Sequence, residues 1–356
     1  MMNFQTELLN IKKAVDRELE RFFSQKKKLV AKSDFITAEA FEYLGILTLG
    51  GGKRLRPALF LNCCKIKNVT EAKAALKIAT ALELVHMYLL IHDDIIDFGS
   101  VRHGQMTAQL RYAGWAKKFF GARNEHFGNS MAIVMGDMLY AYALEMIAES
   151  GMEAKKNQQI ISLVQKVVAQ TIIGQVQDIS IENRKNPSRE DVLAMYCNKT
   201  AQYTFQGPLR AGLLFSGNVD EKLAKALDKY AINLGIAFQI RDDIIGIFGD
   251  KSKTGKEIGI DIAEGKKTLL VLDAFELADA KQKNMLKKLL GKKDISWKEI
   301  KEFQKILIDC GALETAQKQV EAYSSKAKKF LESINVPAEQ KSFLLSLAEH
   351  LEKRQS

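Results

Sequence analysis

Proline is scarce in this chain of 356 residues, occurring only at Pro57, Pro187, Pro208 and Pro337. Interior proline breaks helices, so the long intervals between these four permit long uninterrupted ones. Cysteine is equally rare. Cys63, Cys64, Cys197 and Cys310 form no CxxC pair and sit mostly among apolar neighbours, so buried, reduced thiols are expected and a zinc knuckle or redox motif is not. Strand-like alternation and Asn-Gly hairpin signals are lacking, and the expected fold class is all-α. The N-terminus has no hydrophobic signal core. No apolar run reaches the roughly 18 residues of a membrane span, so a cytoplasmic protein without stable membrane insertion is expected. The net charge is +10. Much of the lysine alternates with glutamate, as between residues 281 and 305, which describes a solvated helix face. A basic surplus can also attract nucleic acid, a membrane surface or anionic substrates. No nucleic-acid module signature accompanies it, so no nucleic-acid partner is expected.

What the chain does have is a long apolar stretch, Ala81 to Asp97, that ends in three carboxylates. On a helix Asp93 and Asp97 share a face, with Asp94 about 100° round from Asp93. His86 lies seven residues before Asp93, almost on the same stripe. Carboxylates at a helix C-terminus meet the negative end of the dipole, and apolar neighbours solvate them poorly. A hard divalent cation would satisfy them, and Mg²⁺ commonly takes one or two carboxylates and completes its shell with phosphate and water. An acidic helix end lying in solvent is the alternative for this motif taken alone.

The rest of the chain supplies companions. Residues 3–30 read as an amphipathic basic helix. Gly50-Gly51-Gly52-Lys53-Arg54-Leu55-Arg56-Pro57 combines a backbone that can approach a ligand closely with three cations before a helix start, which suits an anion. Phe98 to Gly104 leaves the acidic helix through small residues and turns Arg102 and His103 back towards it. Gln175 and Asp178 are polar positions in an apolar helical pattern, and Asn198-Lys199-Thr200-Ala201 follows on the next helix. A second acidic end appears in Phe238-Gln239-Ile240-Arg241-Asp242-Asp243-Ile244-Ile245-Gly246. Beyond it, Lys253 to Asp261 and Glu264 to Thr268 alternate glycine with lysine, as a flap over phosphates would. Residues 267–353 read as further helices without a chemical constellation.

Taken together, the ordered set Gly-Gly-Lys-Arg-Leu-Arg-Pro, Asp-Asp-x-x-Asp, Lys-Thr-Ala and Phe-Gln-x-x-Asp-Asp resembles the trans-isoprenyl diphosphate synthases, or polyprenyl synthetases, over about residues 40–275. The resemblance implies one large domain over 1–356, with C-terminal helices from 276. It would be an antiparallel helical bundle around a deep central cavity, usually a homodimer, with the two acidic helix ends facing one another across the mouth. It further implies that Lys53, Arg56 and His86 bind isopentenyl diphosphate. Asp93, Asp97 and Asp242 would hold three Mg²⁺ ions, supported by Asp94 and Asp243. Arg102, Lys199, Lys256 and Lys266 would clamp the allylic diphosphate, with Thr200 and Gln239 beside the reacting carbons and Gln175 and Asp178 lining the cavity. Two positions depart from the family pattern. His103 stands where a second arginine is usual, weakening an isopentenyl contact or making it pH-dependent. Gly246 stands where the second motif usually ends in aspartate.

The implied activity is head-to-tail condensation of isopentenyl diphosphate with allylic diphosphates. A terpene cyclase is a rival, but it has no use for an isopentenyl site. A non-catalytic prenyl synthase subunit is another, but such subunits commonly lose aspartates. Product length is expected to follow bulk below Asp93. Tyr88 lies five residues before Asp93, roughly 7.5 Å down the helix axis, and Leu89 lies four before it. One aromatic, at the fifth position, resembles archaeal geranylgeranyl (C20) synthases; aromatics at both positions resemble farnesyl (C15) synthases. C20 is therefore expected, with C15 the alternative and Tyr88 as plain core packing the bland reading.

Overall fold

Helix starts in this chain are written by short polar side chains. In the computed structural model, which describes residues 4–67, 71–217, 220–249 and 259–353, Asp34 accepts hydrogen bonds from the backbone N–H groups of Ile36 and Thr37 and opens one helix. Ser188 with Asp191, Asp279 with Gln282, and Ser296 with Glu299 each form a reciprocal capping box, satisfying amide donors that the first turn leaves without partners. The prolines fall where helices tolerate them. Pro57 lies in a first turn, Pro187 just before a start, and Pro337 at an N-cap. Pro208 follows a π-helical stretch, Cys197–Gln206, in which Gly207 donates to the carbonyl of Gln202 five residues back.

The residues group into two compact units, Met1–Ser162 with Leu214–Gly217, and Leu163–Leu213 with Asn218–Ser356. The first carries α1 (Phe4–Val30), α2 (Phe35–Leu49), α3 (Leu55–Cys64), α4 (Ala72–Ile96), a two-strand hairpin, α5 (Ala108–Phe120) and α6 (Glu125–Ala148). Helix α4 is the unit's centre, packed against α3 and α6, and α5 packs against α6. Ile78, Leu84 and Met87 of α4 are fully buried. Next come α7 (Ala154–Asn183), α8 (Arg189–Tyr196), the π-helical stretch and α9 (Gly207–Ser216). The second unit is organised on α10 (Glu221–Phe248), which packs on the π-helical stretch. The helices that follow are α11 (Ile260–Glu264), α12 (Leu269–Leu277), α13 (Ala280–Leu289), α14 (Trp297–Asp309), α15 (Ala312–Glu332) and α16 (Ala338–Glu352), with α15 packed along α10. Ile240, Ile244 and Ile247 of α10 join Leu269, Leu270, Phe303 and Leu307 in one core cluster.

The all-α expectation holds, with one local exception. Val101–Arg102 pairs antiparallel with Gln105–Met106 as β1 and β2, around the two-residue turn His103-Gly104. Both turn residues have positive φ, 52° and 74°, the geometry that lets a two-residue loop match the twist of its strands. An Asn-Gly search misses this turn because histidine takes the asparagine's place. The expectation about apolar runs also changes. Helices α4 and α6 are both long and apolar enough to cross a membrane by length and composition, and most of the α4 window is buried inside the protein. None of the four cysteines forms a disulfide; Cys63 and Cys64 are buried and Cys197 and Cys310 half-buried.

Candidate active site

In the first unit the acidic end of α4 is fixed by the hairpin that follows it. Asp94 is buried, and Arg102 of β1 donates to both of its oxygens, Nε at 3.1 Å and Nη2 at 2.5 Å. Two parallel charge-assisted bonds of this kind set orientation as well as attraction. The connecting loop is tied down too: Gln109 Nε2 donates to the carbonyls of Asp94 and Gly99, both at 2.8 Å, and the Thr107 hydroxyl donates to Gly99 at 2.7 Å. Gly99 has to be glycine, since a Cβ there would lie 2.6 Å from Asp94 Oδ1. Burial works against the Arg102 charge, but the bonds to Asp94 and the fields of Asp93 and Asp97 outweigh it and raise its pKa. Asp94 is therefore neutralised within the protein, while Asp93 and Asp97 stand half-buried one turn apart.

The cations predicted beside it separate into two kinds. Arg54, which the sequence groups with Lys53 and Arg56, is turned inward and fully buried. It donates to Asp16 Oδ1, Glu83 Oε1 and the Thr48 carbonyl, each at 2.8 Å. That is a structural tie, not an anion site. Lys53 is exposed and Arg56 half-buried. His86 lies where Arg56, Arg102 and His103 all act on it: burial first, then these positive neighbours, push its pKa well below the ordinary value. A neutral imidazole thus stands among cationic side chains. His103 belongs to the same group. Its Nδ1 is 3.3 Å from the Leu47 carbonyl, and burial lowers its pKa although that contact opposes the shift. The pH-dependence expected of His103 thus lies at lower pH than for an unperturbed imidazole in the ligand-free protein.

Below the aspartates the Tyr88 side chain does not stand alone. Its ring lies 5.0 Å from that of Tyr140 on α6 and 4.8 Å, edge on, from that of His92. Leu89 is half-buried on the same helix.

In the second unit the acidic end of α10 joins the π-helical stretch through a chain of hydrogen bonds. The Thr200 hydroxyl donates to Gln239 Oε1 at 2.7 Å, and Gln239 Nε2 donates to Asp243 Oδ1 at 2.9 Å. The Tyr196 hydroxyl donates to the other oxygen of Asp243. Burial pushes the Asp243 pKa up to about 8, opposed by these two bonds. π-Helical turns concentrate at functional sites, and here one aims two successive polar side chains. Lys199 Nζ meets Asp178 Oδ2 at 2.5 Å, and the buried Nε2 of Gln175 finds no partner among the described residues. Lys266 Nζ lies 3.1 Å from Glu264, and Asp242 is half-buried. Lys256 lies outside the described residues. Among those residues no three His, Cys, Asp or Glu side chains form a closed metal cage. Tyr196 and Tyr140 went unpredicted because each meets its partner through tertiary packing, whereas His92 lies one turn after Tyr88 on α4, a spacing the sequence does show. A buried tyrosine just before the Lys-Thr-Ala segment was the one available hint for Tyr196.

A family model described as polyprenyl synthetase matches residues 37–307. The geranylgeranyl pyrophosphate synthase of Geoglobus acetivorans is 34% identical over 304 residues, covering 85% of this chain and 87% of that one. The geranylfarnesyl diphosphate synthase of Aeropyrum pernix is 34% identical over 313 residues, covering 86% and 92%. Among solved structures, the geranylgeranyl pyrophosphate synthase of Corynebacterium glutamicum complexed with isoprenyl diphosphate and magnesium is similar at a TM-score of 0.90 and 30% identity, covering 99% of this chain and 100% of that one.

Proposed function

Because the chain belongs to the polyprenyl synthetase family, we propose that it is a short-chain trans-prenyltransferase condensing isopentenyl diphosphate with allylic diphosphates to give geranylgeranyl diphosphate, C20. The observation that carries this reading is the Arg102–Asp94 pair. Arg102 lies within electrostatic reach of His86, as do Arg56 and His103, and also of Asp93 and Asp97, a combination that suits diphosphate and divalent metal together. The donor chemistry fits Mg²⁺: hard carboxylate oxygens, few per site, leaving room for phosphate and water. Asp93 and Asp97 would hold two ions and Asp242 a third. Asp94 and Asp243, committed to Arg102 and to Tyr196 with Gln239, would support them by orientation.

Bound Mg²⁺ would neutralise the charge that builds on the departing diphosphate. Arg102, Lys199, Lys266 and Lys256 would clamp that diphosphate; Lys53, Arg56, His86 and His103 would bind the isopentenyl one. The Thr200–Gln239–Asp243 chain fixes two neutral side-chain oxygens, which would soften the allylic cation. The isopentenyl double bond attacks that cation, and the released diphosphate takes the proton, so no protein nucleophile is needed. We place the enzyme in the cytoplasm, as a homodimer like others of its family. Asp93→Ala or Asp242→Ala should lower kcat by orders of magnitude with the circular-dichroism spectrum unchanged. Near-normal turnover of either variant in Mg²⁺ would overturn the metal assignment.

A further inference from the structure

Five aromatic rings from three helices of the first unit meet where α5 ends, α6 begins and α2 starts. Trp115 stacks on Phe119 with ring centroids 3.9 Å apart and meets Phe120 edge on at 5.7 Å. Phe127 of α6 lies 5.5 Å from Phe120 and 6.2 Å from Trp115, and Phe35 of α2 lies 6.2 Å from Phe119. The cluster is not core. Phe35 is 66% exposed, Phe119 46% and Phe120 62%. Large apolar side chains gathered on a surface mark a contact site, and none of these five belongs to the diphosphate or metal groups described above.

The surroundings of the rings are cationic. Lys117 and Lys118 stand exposed in the last turn of α5, with Lys118 Nζ 5.4 Å from the Phe119 ring centroid. Lys32 is exposed in the turn that leads into Phe35. The nearby carboxylates are engaged elsewhere. Asp34 caps the start of α2, Glu39 accepts from Arg111 and the Tyr112 hydroxyl, and Glu125 pairs with Arg123 at 2.5 Å.

Two kinds of partner cover such a patch. A contact with a second copy would bury the lysines along with the rings, and lysine is depleted at the centres of protein interfaces. An anionic lipid bilayer suits both features, since aromatic rings settle at headgroup depth while lysines meet the lipid anions. The rings already pack on one another, so docking costs little side-chain freedom. We propose that the tip formed by the end of α5, the start of α6 and Phe35 is a docking surface for anionic lipid bilayers. The protein rests there reversibly, with Phe35, Phe119 and Phe120 among the headgroups and Lys117 and Lys118 on the lipid anions. No segment crosses the bilayer, and the inference stands apart from the product and metal assignments above.

The test is flotation of the purified full chain with vesicles of phosphatidylcholine alone, or of phosphatidylcholine and phosphatidylglycerol in equal parts. Wild type should float with the anionic vesicles only and detach in high salt. A lysine near such a surface raises partitioning about fivefold, the equivalent of about 1 kcal/mol, so Lys117→Gln with Lys118→Gln should cut it roughly thirtyfold. Phe119→Ser with Phe120→Ser should cut it by about tenfold or more. Both variants should keep the wild-type melting temperature and turnover. In a Trp297→Phe background Trp115 is the sole tryptophan, and its emission should move to shorter wavelength on anionic vesicles. Wild-type flotation of both variants, equal binding to neutral vesicles, or an unshifted spectrum in the bound protein overturns the proposal. So does a Phe119→Ser, Phe120→Ser variant that floats normally but loses an oligomer in light scattering, which would assign the rings to a contact between copies.

Discussion

Lys53 and Arg54 are neighbours in sequence with the same charge, and the structure gives them opposite work. Arg54 is buried and bonded to Glu83, whose own side chain is only 2% exposed, and to the partly exposed Asp16. Arg54→Met keeps the apolar stem but strands the Glu83 carboxylate in the core. Breaking a buried pair from one side costs about 3–5 kcal/mol. For a chain of this length, with unfolding entropy of roughly 2.1 cal/mol/K per residue, that lowers the melting temperature by roughly 4–7 °C. Lys53 is exposed, so Lys53→Ala should change stability by less than about 0.5 kcal/mol. Losing one charged hydrogen bond to a diphosphate costs about 1.5 kcal/mol, a roughly tenfold rise in KM for isopentenyl diphosphate. Thermal melts and steady-state kinetics on both variants separate the two roles. If Arg54→Met melts like wild type and instead raises the isopentenyl KM, the division of the cations is wrong.

The product-length reading changes with Tyr140 in view. Tyr88→Ala leaves Tyr140 beside the gap, so it should shift part of the product to C25, and Tyr88→Ala with Tyr140→Ala should lengthen it further. Leu89→Phe should shorten it towards C15. Mass spectrometry of the products decides, and an unchanged C20 product in the double variant would make both rings core packing. His103 supplies a pH test. Its pKa is lowered by burial, so on acidification the unfolded chain binds its proton first, below the unperturbed value of about 6.5. Stability therefore falls as pH drops below about 6.5, and His103→Gln should flatten that slope. His103→Arg should lower the isopentenyl KM at pH 8, and the gain should persist to lower pH than an unperturbed imidazole would allow. A gain at pH 8 with none at pH 6 would mean that His103 is already charged at pH 6.

The motifs were legible because each is a local pattern: carboxylates four apart at the end of an apolar run, or glycines and cations before a helix. Three things were hidden. Arg54 could not be told from Lys53 and Arg56, because its inward turn depends on a left-handed backbone and on Asp16 and Glu83 from other helices. The hairpin that carries Arg102 has strands of two residues, too short to show alternation. Asp261 was visible only as part of a glycine-rich loop, and it is tertiary folding that brings it to Gly246. The sequence did show that Gly246 left a carboxylate missing. What it could not show is that the Asp261 side chain fills the space beside Gly246.

The most direct test of the central claim is product analysis. Purified protein is incubated with isopentenyl diphosphate and allylic primers of five, ten or fifteen carbons, with Mg²⁺ and with a chelator, and the products are weighed by mass spectrometry. The account predicts elongation to a C20 diphosphate from all three primers, abolished by the chelator. Release of cyclic hydrocarbon without isopentenyl incorporation, or no elongation of any primer in Mg²⁺, would contradict it.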